Sequence, residues 1–527
     1  MECERSGAIH NGYVLTMTQF KLAASLCIAL AAAPLPALSH KIPLPVSQAL
    51  KQAGIPQSAV GIYVHEIGAA KPILAVNADT AMNPASVMKL VTTFAGLELL
   101  GPAYTWKTEL YANGTLEGGT LQGDLVIKGY GDPKLNLENF WLLTRRLRQT
   151  GLREITGDLV LDSSHFDLPS GNPAAFDGKP HRSYNVLPEA LLVNYRTLAL
   201  RMIPLPGSKT IRIVVDPPLP SLDLKNGLTL TNGPCNEWRD ALAADIRTAI
   251  NGNVRVSIAL NGSYSTDCEE KTLYLSVHDT VDYIFGLFKQ LWEEQGGVFR
   301  GKVRTGTAPE GMTPLETHQS PPLADIVRDI NKFSNNTAAR QLYLALGLTT
   351  GLTTGLTAGP ALGIPPGMSA GEANNAANGV ASSHDKPPAT LAKSDMALRR
   401  WLTSKRLSFP ELVIENGSGL SRNERISTGH LGALLLAAFQ SPVMPEFISS
   451  LPIAAVDGTM KKRLNGSATA GQAHIKTGLL DGVKTMGGYV LDKSGRRVAV
   501  VFFINHPKSG IAQPAMDALL HWAYERP

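Results

Sequence analysis

Apolar positions recur with helical spacing in four stretches of the chain, and each stretch predicts a helix with one buried face. The first follows Pro84, and its apolar side chains run from Val87 to Leu100. Proline suits the first turn of a helix, and the apolar residues behind it predict packing in a core. The other three stretches span residues 137–149, 281–292 and 323–346.

Short apolar or alternating runs between turn residues predict strands in the first half of the chain. A strand pair at 61–66 and 73–77 precedes the first helix, and a second β-rich stretch covers residues 194–275. Three further strands are predicted at 123–129, 157–162 and 210–215. The first half of the chain therefore combines helices with several groups of short strands.

The end of the chain predicts strand, turn, strand and helix in that order. A short strand at 473–477 leads to two antiparallel strands at 486–491 and 498–504, with a turn at Ser494-Gly495 between them. A helix through residues 519–522 follows. Such a sheet has an edge that can present Lys476 to a cleft.

The amino-terminal region has the pattern of an export signal. A lysine at position 21 precedes an apolar run over residues 22–33, and small residues follow up to Ser39. This pattern predicts a cleaved signal peptide over residues 1–39, with Met17 as an alternative start. The apolar run is short for a membrane span. The mature protein is therefore expected outside the cytoplasm.

Only Cys235 and Cys268 remain once the signal peptide is removed. Cysteines commonly pair in an oxidising compartment, so a disulfide is expected, with two free buried thiols as the alternative.

Residues 347–388 differ from the rest of the chain in composition. A tandem repeat of Gly, Leu and Thr is followed by a tract rich in Pro, Gly, Ala and Asn. That composition cannot bury enough apolar surface to fold alone, so we expect a flexible surface insertion there.

Composition excludes some classes of function. The 527 residues suit two or three domains, with 44% hydrophobic and 18% charged residues. The net charge of +5 is spread without a basic run, so no nucleic-acid partner is expected. The histidines are scattered and no Cys-x-x-Cys occurs, so neither a metal site nor a cofactor is expected.

Ser86 and Lys89 are the leading candidates for chemistry. On a helix, residues three apart share a face, so the lysine amine can reach the serine hydroxyl. Burial lowers the pKa of an amine, which lets it accept the serine proton. The alternative is a serine at a helix start beside a lysine whose amine reaches solvent.

Two later patterns strengthen this interpretation. Ser334-Asn335-Asn336 opens a predicted helix, where the serine can pass a proton and Asn336 can hold a substrate amide. Lys476-Thr477-Gly478 on a strand supplies a fixed cation, a hydroxyl and close backbone approach. Alone, each could be a helix cap or a solvent-facing strand end. The three patterns in order are far less easily explained by chance.

With these motifs the chain resembles the serine penicillin-binding proteins, and most closely the class C low-molecular-mass D-alanyl-D-alanine carboxypeptidase/endopeptidases of the bacterial periplasm. Further resembling stretches are residues 83–90, 129–133, 161–164, 415–422, 457–459 and 474–478. The resemblance implies an α/β (α+β) fold, in which a penicillin-binding/β-lactamase-like domain, an antiparallel sheet flanked by helices, is split by two nested β-rich inserted domains. The expected divisions are 40–105 with 309–527 for the peptidase domain, 106–193 with 276–308 for the inserted domain, and 194–275 for the nested domain.

The resemblance also implies a role for each motif residue. Ser86 would be the nucleophile, Lys89 its base, Ser334 the proton relay and Asn336 the contact to the acyl side chain. Lys476 would supply positive potential and Thr477 would position the motif. The backbone N–H groups of Ser86 and Leu479 would form the oxyanion hole, and the substrate contacts would be Gly478, Asp162 and Arg422, the last two at the diaminopimelate end of the peptide.

One position departs from the family pattern. Many relatives carry Thr or Ser after Lys-Thr-Gly, where the hydroxyl helps to bind the terminal carboxylate of the substrate, but this chain has Leu479. Carboxylate binding is therefore in doubt, and the departure favours internal cross-links as substrates.

The expected function is a periplasmic serine DD-peptidase that binds peptidoglycan stem peptides and is acylated by β-lactams. No cofactor is needed; at most peripheral membrane association is expected, and a homodimer is compatible with the resemblance. The alternatives are a β-lactamase or esterase on the same scaffold, and a catalytically weak wall-binding protein.

Overall fold

The computed structural model describes residues 41–205, 207–235, 238–251, 253–351 and 387–526. The predicted signal peptide over residues 1–39 and most of the predicted insertion at 347–388 lie outside these residues. Among the described residues, no helix is long and apolar enough to cross a lipid bilayer.

Each predicted helical stretch contains a helix, and residues 323–346 contain two, but the helices at 44–52, 391–404, 428–439 and 444–450 were not predicted. The helices are α1 Leu44–Gln52, α2 Lys89–Leu99, α3 Leu137–Gln149, α4 Thr280–Glu294, α5 Leu323–Phe333, α6 Asn336–Leu346, α7 Leu391–Ser404, α8 Thr428–Phe439, α9 Met444–Ser450 and α10 Gln513–Glu525. The strands are β1 Val60–Glu66, β2 Leu74–Val76, β3 Lys107–Glu117, β4 Thr120–Gly129, β5 Glu154–Ile155, β6 Leu159–Asp162, β7 Leu198–Pro204, β8 Ile211–Asp216, β9 Leu222–Thr231, β10 Leu242–Asn251, β11 Asn253–Ser265, β12 Lys271–Leu275, β13 Val298–Phe299, β14 Val303–Thr305, β15 Glu316–Gln319, β16 Ala473–Leu480, β17 Val483–Leu491 and β18 Arg497–Asn505.

A five-stranded antiparallel sheet in the order β16-β17-β18-β1-β2 joins the two ends of the described chain. Its strand β18 is apolar along its length because side chains on both faces are buried. Phe503 and its alternate neighbours pack with helices α2 and α8, whereas Phe502 and its alternate neighbours pack with α1 and α10. The predicted strand pair ahead of Ser86 and the predicted antiparallel carboxy-terminal strands are both confirmed.

A seven-stranded sheet has six strands in the stretches predicted for an inserted domain, whereas its strand β15 lies in a stretch predicted for the peptidase domain. Its order is β13-β5-β4-β3-β15, with β6 pairing β4 and β14 pairing β6. Helix α3 spans the predicted residues, and its apolar face packs in the same hydrophobic cluster as α4. Asn136 caps α3 by accepting a hydrogen bond from the Asn139 N–H at 3.0 Å, which fixes where this helix starts.

Two three-stranded sheets, β10-β11-β9 and β12-β7-β8, occupy the predicted β-rich stretch. Cys235 and Cys268 form a disulfide in this stretch, as predicted. The apolar side chains of these sheets belong to the same hydrophobic cluster as those of the seven-stranded sheet. The chain therefore has several sheets, and the nesting of two inserted domains stays a prediction.

Contacts between distant parts of the chain fix the position of the residues before Ser86. Strand β1 pairs with β18 from Val60↔Ile504 to Glu66↔Val498. The side chain of Asn505 bonds the backbone of Asn83 twice, accepting from its N–H at 2.8 Å and donating to its carbonyl at 3.1 Å. The turn that carries Ser86 is thereby fastened to the last strand of the sheet.

Candidate active site

Ser86 lies in a short 3-10 turn, Ala85–Met88, rather than inside the predicted helix. Ala85 has a φ of 47°, and the regular helix α2 begins only at Lys89. The expected contact nevertheless forms, because Lys89 Nζ donates a hydrogen bond to Ser86 Oγ at 3.1 Å. The nucleophile candidate therefore lies on a turn between Asn83, which is bonded to Asn505, and the first residue of α2.

The amine of Lys89 is sequestered from solvent, since the residue is 0% exposed. It also donates to Asn336 Oδ1 at 2.6 Å and to the backbone carbonyl of Ser418. Burial lowers the pKa of Lys89 well below its usual value, and the nearby charge of Lys476 lowers it further. A neutral amine beside a hydroxyl can act as a general base.

Ser334 occupies the break between helices α5 and α6. Its φ of 58° is left-handed, which costs a residue with a side chain about 1–3 kcal/mol. Asn335, not Ser334, caps α6, since its Oδ1 accepts from the Ala338 N–H at 3.0 Å. The turn leaves the Ser334 hydroxyl free to face Lys476, whose Nζ donates to Ser334 Oγ at 2.9 Å.

Lys476 is the third buried component of the cluster. It is 0% exposed on strand β16, and its amine also donates to the Thr477 carbonyl at 2.6 Å. Burial lowers the pKa of Lys476 to about 7. Thr477 itself donates to Thr459 Oγ1 at 2.8 Å.

Gly478 allows strand β16 to approach the Ser86 turn. A Cβ on Gly478 would overlap Thr485 Oγ1 and lie 2.9 Å from the Ser86 backbone nitrogen. Thr485 Oγ1 donates to the Pro84 carbonyl at 2.6 Å, which holds the neighbouring strand against the same turn. This close approach explains why a glycine follows Lys476-Thr477.

The loop 415–424 completes the cluster, although its chemistry could not be deduced from the residues alone. Its Ser418 carbonyl accepts from Lys89, and its Gly417 carbonyl accepts from Thr92 Oγ1 at 2.7 Å. Gly419 has a φ of 78°, and a Cβ there would overlap the Ala85 carbonyl and lie 2.9 Å from Ser86 Cα. The two glycines that flank Ser418 were the only local signal for such close packing.

Asp162 and Arg422 stand in different surroundings. Asp162 is fully buried in the seven-stranded sheet, where it accepts from the Ser164 N–H at 2.9 Å and the Ala308 N–H at 2.7 Å and lies 3.6 Å from Lys128 Nζ. Arg422 is exposed and donates to the Asp481 carbonyl at 2.7 Å. The structure thus brings the six motif residues together, while the substrate contacts of Asp162 and Arg422 stay predictions.

A family model and two related proteins give consistent matches. A model of the D-Ala-D-Ala carboxypeptidase 3 (S13) family matches residues 44–360 and 371–525. The D-alanyl-D-alanine carboxypeptidase DacB of Haemophilus influenzae is 24% identical over 459 residues, which cover 86% of each chain. A D-alanyl-D-alanine carboxypeptidase of an Actinomadura species is 25% identical over 488 residues, which cover 89% of this chain and 81% of the relative.

Solved structures show the same fold. The crystal structure of penicillin binding protein 4 (dacB) from Haemophilus influenzae superposes with a TM-score of 0.69 at 23% identity, covering 91% of this chain and 99% of the other. A second structure of that protein, complexed with a β-lactam, has a TM-score of 0.65 at 23% identity and covers 92% of this chain and 100% of the other.

Proposed function

The chain belongs to the D-Ala-D-Ala carboxypeptidase 3 (S13) family, and on that premise we propose that it cleaves peptidoglycan stem peptides through an acyl-enzyme on Ser86. It is a serine-type D-Ala-D-Ala carboxypeptidase by family. The observation that carries the assignment of the nucleophile is the 3.1 Å hydrogen bond between Lys89 Nζ and Ser86 Oγ, made by an amine with no solvent exposure.

The proposed reaction has two steps. Ser86 Oγ bonds to the carbonyl carbon of the penultimate D-alanine while its proton passes to the neutral Lys89 amine. The C–N bond then breaks, and the proton held by Lys89 reaches the leaving amine through the Ser334 hydroxyl, which takes up that proton as it gives away its own. Lys476 lies beside this hydroxyl at 2.9 Å. Water hydrolyses the ester in the second step and restores Ser86.

The oxyanion hole is proposed to consist of the backbone N–H groups of Ser86 and Leu479. The support is the approach at Gly478, where strand β16 comes close to the Ser86 nitrogen because no side chain intervenes. Each such donor stabilises the transition state by roughly 3–4 kcal/mol. Leu479 supplies its N–H regardless of its side chain, so the departure from the family pattern leaves this part intact.

We also propose that β-lactams acylate Ser86 and that the protein works in the periplasm. A β-lactam complex is known for the Haemophilus influenzae protein that shares this fold. The Cys235–Cys268 disulfide suits an oxidising compartment. Arg422 is assigned a substrate contact at the diaminopimelate end, because it is exposed and lies next to the turn after β16 through its bond to Asp481. The same role for Asp162, whose side chain is fully buried, stays a prediction.

Locating a penicillin adduct tests the nucleophile directly. After incubation with a β-lactam and digestion, mass spectrometry should place the added mass on the peptide that contains Ser86. Ser418 is the matched control, because it lies in the same cluster but its hydroxyl donates to Asn416 Oδ1 at 2.6 Å. An adduct on any other side chain would contradict the proposal.

The side chain of Leu479 supports cross-links as additional substrates. It is 65% exposed on β16 and shares a strand face with Thr477, whose hydroxyl is already bonded to Thr459. A free terminal carboxylate therefore finds an apolar side chain where the family pattern offers a hydroxyl. At an internal D-Ala–diaminopimelate cross-link, the enzyme does not have to bind a small terminal carboxylate in the same way.

Leu479→Thr should raise the turnover of a D-Ala-D-Ala pentapeptide relative to a cross-linked dimer by about tenfold, the value of one hydrogen bond to a charged group. Leu479→Val is the matched control, since it keeps an apolar side chain and should leave the ratio unchanged. The two substrates are compared by chromatography of the released products. A strong preference of the unmodified enzyme for the pentapeptide would reject the endopeptidase proposal.

A further inference from the structure

Glu424 is a buried carboxylate behind the loop that holds the candidate base Lys89. The proposed reaction does not use this carboxylate. It is 0% exposed, and its Oε1 accepts hydrogen bonds from the N–H groups of Glu415 and Asn416, each at 3.1 Å. Its Oε2 has no hydrogen-bond partner among the residues that the structure describes. A carboxylate with one oxygen unpaired and no access to solvent is costly to bury, so a local purpose is expected.

The hydrogen bonds of Glu424 shape the loop that holds Lys89. By accepting from two successive N–H groups it fixes the start of the Glu415–Leu420 segment. Asn416 then accepts from the Ser418 N–H at 2.9 Å and from its hydroxyl, which orients the Ser418 carbonyl. That carbonyl accepts from Lys89 Nζ. A chain of contacts thus runs from Glu424 to the amine.

The charge of Glu424 also opposes the cations around Lys89. Lys476 on β16 and Arg340 on α6 both lower the pKa of Lys89, whereas Glu424 raises it. Glu424 in turn faces Lys89 and Glu415, and its charge reaches Arg340 and Tyr343 on α6. Burial raises the pKa of Glu424 to about 7, so its charge changes within the working pH range of most enzymes.

We propose that Glu424 is a positioning residue for acylation: it sets the loop that holds Lys89, and it adds a negative charge to the cations around that amine. This inference rests on the proposed role of Lys89 as the base for Ser86. Glu424 acts only through Lys89, because its side chain is enclosed and its Oε1 is occupied by the loop. It therefore makes no contact with substrate.

The proposal predicts a specific pH dependence. As the pH falls through about 7, Glu424 takes up a proton and loses its charge. Lys89, whose pKa that charge raises, then becomes a weaker base. Proton transfer from Ser86 slows, so the acylation rate of the unmodified enzyme falls below about pH 7.

Glu424→Gln should abolish this fall. Glutamine keeps an oxygen that accepts the two N–H groups but carries no charge at any pH, so acylation by a fluorescent penicillin should run throughout at the slow, low-pH rate of the unmodified enzyme, with no step near pH 7. The rate constant is measured from pH 5 to 9, with a thermal melt to verify folding. Glu411→Gln is the matched control, because Glu411 bonds Ser427 and His430 rather than the loop that holds Lys89, and it should retain the fall.

A fall near pH 7 that persists in Glu424→Gln would belong to Lys476 and would overturn the proposal. Should that variant not fold, Glu424→Asp is measured instead. Its shorter side chain moves the carboxylate away from Lys89, so the acylation rate should fall less below about pH 7. A pH profile identical to that of the unmodified enzyme would contradict the proposal. The adduct position separates this failure from that of the proposed function. An adduct on Ser86 with an unchanged profile rejects Glu424 alone, and an adduct elsewhere rejects both.

Discussion

Lys89→Met should slow the acylation of Ser86 by a β-lactam about a thousand-fold, within the range that a lost general base causes. Lys89 Nζ is the amine that donates to Ser86 Oγ, and burial with the charge of Lys476 lowers its pKa so that it can accept the proton. Methionine fills a similar volume without an amine. The rate is measured by stopped-flow with a chromogenic cephalosporin.

Lys89→Arg distinguishes a base from a mere positive charge, because arginine keeps the charge and does not release a proton at accessible pH. It should be as slow as Lys89→Met. Folding of both variants is followed by circular dichroism, since Lys89→Met removes the donor that Asn336 and Ser418 share, and Lys89→Arg places a larger side chain at a fully buried position. Rapid acylation of the folded arginine variant would contradict the assignment of Lys89 as the base.

Gly419→Ala should slow acylation about a hundred-fold, the effect of displacing a reacting group by about 1 Å. A methyl group at this position would overlap the Ala85 carbonyl and lie 2.9 Å from Ser86 Cα. Either the loop or the turn that carries Ser86 has to move. The left-handed backbone adds its own strain, so the variant should also lose roughly 3 kcal/mol of unfolding free energy.

Gly466→Ala is the matched control for the backbone conformation. Its φ of 72° is close to the 78° of Gly419, but no atom lies within 4 Å of the added Cβ. It should lose only about 1–2 kcal/mol of stability, from the left-handed conformation, and keep the acylation rate. Equal acylation rates in the two variants would show that the Ser86 turn tolerates a side chain at Gly419.

Local patterns were sufficient to predict several of the longer regular elements. The apolar spacing of residues 137–149 matches α3, and the alternation at 486–491 and 498–504 matches β17 and β18. Such elements are encoded by near neighbours, since a helix or strand repeats over a few residues. The motif pairs Ser86–Lys89 and Ser334–Asn336 were found for the same reason.

Contacts between distant segments could not be predicted in this way. Nothing near Lys89 in the sequence indicates that the Ser418 carbonyl binds its amine, or that Glu424 lies behind that loop. The start of α2 at Lys89 was also missed, because the turn before it is held by Gly419 and by Thr485 from another strand. Asp162 reads as a strand-end residue, yet the fold encloses it completely.

The pairing of β1 with β18 has a consequence for biosynthesis. The segment that carries Ser86 is made well before the strand that fastens it, since Asn505 follows Asn83 by 422 residues. Folding with such a long sequence separation is slow, since the ends have to meet before the sheet closes. A chain in which β18 has not yet paired therefore lacks the contacts that hold the Ser86 turn in place.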